Sequence, residues 1–209
     1  MTESKPPKWL AWAREIQAIA QIGDHYADNH FQHERYQRLL EIAAEMVNEN
    51  GKVEYAPILD AFQTPVGYAT PRIDVRGAVF QDGKLLMVRE ISDSGWCMPG
   101  GWADVGDVPS ESAEREVWEE AGFKVKAKKV VGVYDANRTG PLELFHAFKV
   151  VFLCDVLDGK ATPSVETSEV GFFGPEEIPG VLSPNRTNPR VIADAFAAYQ
   201  DPARPTQFD

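Results

Sequence analysis

The sequence predicts an α/β fold in which a sheet carries helices on both faces, preceded by a small two-helix domain. Two amphipathic segments open the chain, a stretch rich in Pro, Gly and short polar residues follows over 52–70, and β-rich and helical segments are mixed in the remainder. A length of 209 residues accommodates one ordinary domain with a small addition. We therefore predict an N-terminal helical domain with its linker at 1–67 and a second domain at 68–209.

The two N-terminal helices are predicted from apolar residues that recur at three- and four-residue steps. The first covers 8–22, with Trp9, Trp12 and Ile16 on one face, and Gly23 is its expected stop. The second covers about 33–48 and ends before Gly51. Helices this short cannot bury both apolar stripes on each other, so we expect them to pack on the main domain, on a partner subunit, or on both.

The second domain is predicted to begin with a β-hairpin. Strands at 73–80 and 85–88 flank Asp82-Gly83, a dipeptide typical of a tight turn between antiparallel strands. A helix follows at 109–121, with Gly122 as its C-terminal stop. Further strands are expected at 125–134, 145–154 and 170–173, and a last amphipathic helix at 189–199.

The overall charge limits the classes of partner. A net charge of −11 and an isoelectric point near 4.9 argue against a broad basic surface for long nucleic acids, so no stable nucleic-acid complex is expected. The sequence shows neither a signal peptide nor a membrane span. Cys97 and Cys154 both lie in apolar contexts, which favours two buried free thiols in a reducing cytoplasm over a disulfide.

Three carboxylates, Glu116, Glu119 and Glu120, lie on the predicted helix that follows Gly100-Gly101. Each helical residue turns the side chain by roughly 100°, which places all three within one arc of the helix surface. Like charges one turn apart weaken a helix. A hard cation such as Mg²⁺ would remove the repulsion, and it binds few carboxylates while keeping waters and substrate phosphates as its other ligands. The helix is therefore a candidate metal site.

The same segment resembles the Nudix box, G-x5-E-x7-R-E-U-x-E-E-x-G-U. The residues that match are Gly101, Arg115, Glu116, Val117, Glu119, Glu120 and Gly122, whereas Asp107 replaces the usual Glu and Phe123 the usual aliphatic residue. The resemblance implies an α/β/α sandwich with a mixed sheet, and hydrolysis of nucleoside diphosphates linked to another moiety with the help of Mg²⁺ or Mn²⁺.

The N-terminal region is similar to the small helical domain that precedes the hydrolase in one bacterial Nudix branch. The matching segments are KWLAWAREIQAIAQ and ERYQRLLEIAAEM, together with PGGWADVGD, VYDANR, ETSEVGFF and LSPNRT further on. The resemblance implies a CDP-choline or ADP-ribose pyrophosphatase, a small nucleotide-derivative substrate and a homodimer.

The box also implies roles for individual residues. Glu116, Glu119 and Glu120 would bind the metal together with a backbone carbonyl of Gly100 or Gly101, of which we take Gly101. Arg115 would pair with Asp107 and hold the loop to the helix, although the shorter Asp107 leaves a direct metal contact open. A later loop offers Glu166 or Glu169 as general base, and we favour Glu166.

Substrate specificity is expected from loop residues. We assign Asp135, Arg138 and Arg186 to substrate binding, since Arg suits bidentate phosphate contacts. Trp102 is assigned to stacking on a base, with core packing left open. Two other functions stay open: processing of RNA ends, and a non-catalytic module that senses a nucleotide.

Overall fold

The computed structural model describes residues 7–64, 67, 69–104, 106–138 and 145–209. Contacts divide the chain into two compact units. The first takes in the described residues up to Pro71 together with Phe145 and His146, and the second takes in the other described residues from Arg72 onward.

The first unit is helical and contains α1 (Lys8–His25), α2 (His30–Gly51) and α3 (Tyr55–Gln63). Asn29 caps α2, since its side chain accepts a hydrogen bond from the amide of Gln32 at 3.0 Å. The helices share one apolar core, which consists of Leu10, Ala13, Ala20, Leu40, Ala43, Ala44, Val47, Ile58 and Phe62.

Two predictions for this unit are wrong. The expected linker contains α3, which forms because Ile58 and Phe62 are buried in the shared core. Gly23 does not end α1, which continues to His25. A Cβ on Gly23 would lie 2.2 Å from the ring of Tyr36, so the glycine permits close approach of α2 instead.

The second unit contains a mixed sheet. Its strands are β1 (Arg72–Gln81), β2 (Lys84–Glu90), β3 (Trp96–Cys97), β4 (Gly100–Trp102), β5 (Phe123–Asp135), β6 (Ala147–Gly159), β7 (Thr167–Phe173) and β8 (Gln207–Phe208). They pair in the order β3-β2-β1-β6-β5-β8, with β4 added to β1 and β7 to β2. The pairs β1–β6 and β5–β8 are parallel and the others antiparallel, as the predicted fold class requires.

One helix packs on each face of this sheet, because successive residues of β1 point to opposite sides. Helix α4 (Pro109–Ala121) packs through Val117 against Val75 and Val79. Helix α5 (Pro189–Gln200) packs against Ala78 and Phe80 on the other face. The strand predicted to begin at 145 begins at Ala147 instead, so residues 145 and 146 precede β6. His146, which falls within the predicted strand at 145–154, is exposed and lies before β6.

Both cysteines are free and buried, Cys97 at 0% and Cys154 at 2% exposure. Burial raises the pKa of both thiols, that of Cys154 to about 12, and only the thiolate is nucleophilic. We expect a thiol reagent such as DTNB to titrate neither cysteine in the folded protein and two per chain in guanidinium chloride. Rapid labelling of one thiol under native conditions would contradict this burial.

Candidate active site

The candidate site is built from the start of β4 and the last turns of α4. Helix α4 has the predicted bounds, and its N-cap residue Val108 makes no side-chain cap. Gly122 ends the helix in the left-handed conformation, with φ 77°. Glu116 and Glu120 lie one helical turn apart, so both can face Gly100-Gly101, which forms the start of β4 and is called the glycine loop below.

Glu120 is held at the start of this loop. The amide of Gly100 donates a hydrogen bond to its Oε2 at 2.9 Å, and the residue is only 7% exposed. Burial raises the pKa of the Glu120 carboxyl to about 7, while the nearby Arg76 guanidinium opposes this rise. The sequence pattern had identified this carboxylate, but its burial follows only from the packing of α4 against β4.

Glu116 lies beside Gly101. A Cβ at position 101 would lie 2.9 Å from Glu116 Oε2, so the glycine keeps the space around this carboxylate open. Burial raises the pKa of Glu116, a hydrogen bond from Arg115 lowers it, and the charge of Glu119 raises it again. The Arg115 contact has Nη2 at 3.4 Å from Oε1 of Glu116.

Glu119 is exposed and lines a surface groove with Trp118, Lys124 and Lys160. Within the described ranges, no group of three or more His, Cys, Asp or Glu side chains is arranged to hold a metal ion. The convergence of all three box carboxylates is therefore not seen there. Glu116 and Glu120 are the two that flank the glycine loop, and the role of Glu119 remains a prediction.

The donor atoms present nevertheless fit a divalent cation. Carboxylate oxygens are the ligands that Mg²⁺ and Mn²⁺ prefer, and Mg²⁺ commonly takes only one or two from the protein. Glu116 and Glu120 supply two, and Gly101 leaves the adjoining space free of a side chain. These residues, with the carbonyl of Gly101, are the ones that would hold the ion.

The predicted pair of Arg115 and Asp107 is present. Arg115 Nη2 donates to Asp107 Oδ2 at 2.9 Å, and the guanidinium also reaches Ser112 Oγ at 3.3 Å. The shorter aspartate therefore contacts the guanidinium directly. Asp107 Oδ2 also accepts from the amide of Asp104 at 3.3 Å, and Arg115 lowers the pKa of Asp107. This carboxylate thus ties the loop to the helix.

A buried charge network, which the sequence reasoning missed, lies next to Glu120. Arg76 binds Asp74 through two hydrogen bonds of 2.8 and 2.9 Å and donates to the carbonyl of Met98 at 3.2 Å. Lys149 Nζ donates to the carbonyls of Asn185 at 3.2 Å and Arg186 at 2.6 Å. Charged residues at alternate positions of the apolar strand IDVRGAV were the available signal.

Arg186 is engaged within the protein. Its Nε lies 3.1 Å from Glu90 Oε1, and its Nη1 lies 3.6 Å from Asp93 Oδ2. Glu90 is only 3% exposed, so an uncompensated charge there would be costly and Arg186 is its counterion. The substrate role predicted for Arg186 therefore competes with an internal one.

Asp135 is the last residue of β5, and Arg138 lies in the turn that Asp135 begins. Asp135 Oδ1 accepts from the amide of Asn137 at 2.9 Å, which makes the carboxylate a turn-forming group. Asn137 Oδ1 in turn accepts from the amide of Ala147 at 3.0 Å, and Arg138 is half-buried. The structure places both residues in one turn, and their contact with substrate remains a prediction.

The two tryptophans near the glycine loop, Trp96 and Trp102, differ in their exposure to solvent. Trp96 packs against Phe173, with ring centroids 4.9 Å apart, and belongs to the core. Trp102 is 47% exposed, and the Arg72 guanidinium lies 5.9 Å from its ring centroid. Of the two rings, that of Trp102 is therefore the more exposed, and its stacking on a base remains a prediction.

Of the two candidate bases, Glu169 pairs with Arg89 at 2.6 Å. Glu166 is exposed, and its backbone is fixed by the amide of Ile91, which donates to its carbonyl at 2.9 Å. The role of Glu166 as general base remains a prediction.

No helix in the part of the chain that the structure describes has the length and hydropathy needed to cross a bilayer.

Known families match both parts of the chain. Residues 7–62 match the UDP-X-like N-terminal oligomerisation domain, and residues 70–196 match the NUDIX domain. A Bacillus subtilis protein named "Putative ADP-ribose pyrophosphatase YjhB" is 34% identical over 203 residues, which are 97% of each chain.

Two solved structures extend this similarity. A UDP-X diphosphatase is 30% identical with a TM-score of 0.63, over 96% of this chain and 98% of that one. An ADP-ribose pyrophosphatase from Streptococcus suis is 36% identical with a TM-score of 0.61, over 67% of this chain and all of that one. With the box residues placed as described, the chain belongs to the Nudix hydrolases, among the bacterial members with an N-terminal helical domain.

Proposed function

We propose that this Nudix hydrolase is a pyrophosphohydrolase that depends on a divalent metal and cleaves a nucleoside diphosphate linked to a second moiety. The observation that carries the proposal is the pair of carboxylates at the glycine loop, with Glu120 bonded to the Gly100 amide and Glu116 beside Gly101. Diphosphate cleavage needs charge neutralisation and a positioned water more than covalent help. A bound divalent ion supplies that neutralisation and makes its water more acidic.

The protein's own residues have separate tasks in this proposal. Glu120 and Glu116 hold the ion, and the Arg115–Asp107 pair keeps the loop against the helix. Glu166 accepts a proton from the attacking water. Trp102 stacks on the base, while Arg138 and Asp135 contact the rest of the substrate.

ADP-ribose is the first substrate to test, because two of the similar proteins carry that name at 34% and 36% identity. UDP-linked compounds come next, since the UDP-X diphosphatase covers almost the whole chain. CDP-choline stays in the panel as our prediction from the branch resemblance.

We expect ADP-ribose with Mg²⁺ or Mn²⁺ to give AMP and ribose 5-phosphate, with one water consumed, and EDTA to abolish the reaction. The assay resolves products by mass for ADP-ribose, a UDP-sugar, CDP-choline and 5′-triphosphate RNA, with Glu120→Gln as the control for contaminating activity. Turnover of the RNA alone would replace this proposal by RNA-end processing, which the net charge of −11 disfavours. Tight ADP-ribose binding without cleavage would favour a sensor.

We further propose that the protein is a cytoplasmic homodimer. The helical unit exposes large apolar side chains on α1 and α2, namely Trp12, Ile19 and Phe31, and its matching family is described as an oligomerisation domain. Light scattering coupled to size exclusion measures the mass, and a monomer of 23.2 kDa at micromolar concentration would contradict this assembly.

A further inference from the structure

The hydroxyl group of Thr167 connects the end of α4 to the loop that carries Glu166. Thr167, the first residue of β7, is 1% exposed. Its Oγ1 donates to the carbonyl of Glu120 at 2.8 Å and accepts from the amide of Ser164 at 2.9 Å. Formation of a strand does not require either of these two side-chain hydrogen bonds.

The helix side of this junction fixes Glu120. The last carbonyls of a helix lack partners within the helix. At the end of α4, backbone amides of the loop at 160–166 bind two carbonyls. The amide of Thr162 donates to the carbonyl of Ala121 at 3.0 Å, and the amide of Lys160 donates to the carbonyl of Gly122 at 3.3 Å. The carbonyl of Glu120 is instead bound by a side chain, that of Thr167. Glu120 is thus held at both ends, by Thr167 at its carbonyl and by Gly100 at its carboxylate.

The loop side fixes the turn before Glu166. Ser164 Oγ accepts from the amides of Glu166 at 3.0 Å and Thr167 at 3.2 Å, and it lies 3.2 Å from Thr167 Oγ1. Removal of the Thr167 hydroxyl would therefore release the amide of Ser164 and the carbonyl of Glu120 together.

We propose that Thr167 is a positioning residue of this hydrolase, whose hydroxyl sets the placement of Glu120 relative to the turn that carries Glu166. Thr167 acts through these two residues and does not itself touch substrate. The inference rests on the proposed function, in which Glu120 holds the ion and Glu166 takes the proton.

The test compares Thr167→Val, which keeps the shape and removes the hydroxyl, with Thr167→Ser, which keeps the hydroxyl. We expect Thr167→Val to lower kcat roughly 10- to 100-fold, as a displaced catalytic group does, with KM within about twofold. Thr167→Ser should restore most of kcat. A wild-type kcat in Thr167→Val, or a loss that Thr167→Ser does not restore, would overturn the proposal.

Two further measurements separate positioning from a general loss of stability. Val191→Ala removes buried methyl groups from α5 on the other face of the sheet, so it serves as a destabilised control. A similar fall in kcat in Val191→Ala, at an equal or smaller loss in Tm, would count against positioning.

Hydrogen exchange provides a readout that needs no turnover. The amides of Ser164, Thr162 and Lys160 should exchange about tenfold faster in Thr167→Val than in Val191→Ala of equal Tm. If wild-type protein hydrolyses none of the panel compounds, the proposed function fails, while unchanged exchange in Thr167→Val independently refutes the coupling.

Discussion

Replacement of Glu120 by glutamine is expected to lower kcat by roughly 100-fold or more with little loss of folded stability. The amide keeps the size of the side chain, and its oxygen can still accept the hydrogen bond from Gly100. It removes the negative charge that the proposed divalent ion requires. Because this side chain is buried, loss of its charge adds no desolvation cost to folding.

Steady-state kinetics with saturating Mg²⁺ and thermal unfolding measure the two effects separately. Glu45→Gln is the inert control, since Glu45 is exposed and pairs with Arg38 on the surface of α2. Glu119→Gln tests the neighbouring box residue, which the structure places on an open groove. Full turnover by Glu120→Gln would rule out the assignment of this carboxylate.

The second large effect is expected for Gly100→Ala, which should impair folding and activity together. Gly100 has φ 149°, and a Cβ there would lie 2.1 Å from the carbonyl oxygen of Val75 and 2.8 Å from Cα of Arg76. These are backbone atoms of the central strand, so the loop itself must move. We expect a loss of roughly 2–4 kcal/mol in the free energy of unfolding. The displaced amide would also release Glu120, and kcat should fall with it.

Gly101→Ala is the matched control for this change. The three atoms nearest to its Cβ would all belong to the carboxylate of Glu116, the closest at 2.9 Å, and a side-chain end can rotate away. We therefore expect Gly101→Ala to lower activity while the unfolding free energy changes by less than about 1 kcal/mol. Chemical denaturation and kcat of both variants provide the comparison. Equal stability of the two variants would show that the backbone at position 100 tolerates a side chain.

The elements that were predicted well are those with local signals. Helix α4 has the predicted bounds because Pro109 suits the first turn and Gly122 the left-handed stop. The hairpin at Asp82-Gly83 has positive φ at both residues, as its dipeptide indicates. Helix α3 could not be predicted from composition, because its stability comes from the burial of Ile58 and Phe62 against the other two helices.

In the candidate site, too, contacts between residues close in sequence were predicted, whereas contacts between distant residues were not. The resemblance to the Nudix box implied the contact between Arg115 and Asp107, which are eight residues apart on one loop and helix. Lys149 and Asp74 are 75 residues apart, and only the parallel pairing of β1 with β6 brings them together. Likewise, Thr167 meets Glu120 only because the loop after β6 returns to the end of α4.

The ring of Phe145 affects how stable the helical unit would be if it were produced on its own. Phe145 packs edge-on against Phe62, with centroids 6.3 Å apart, although more than 80 positions separate them along the polypeptide. A fragment that stops at Pro71 would lack this ring and leave part of Phe62 unprotected from water. The helical unit is therefore built from two separate stretches of the chain. We expect an isolated N-terminal fragment to unfold at a lower temperature than the same helices do within the intact chain.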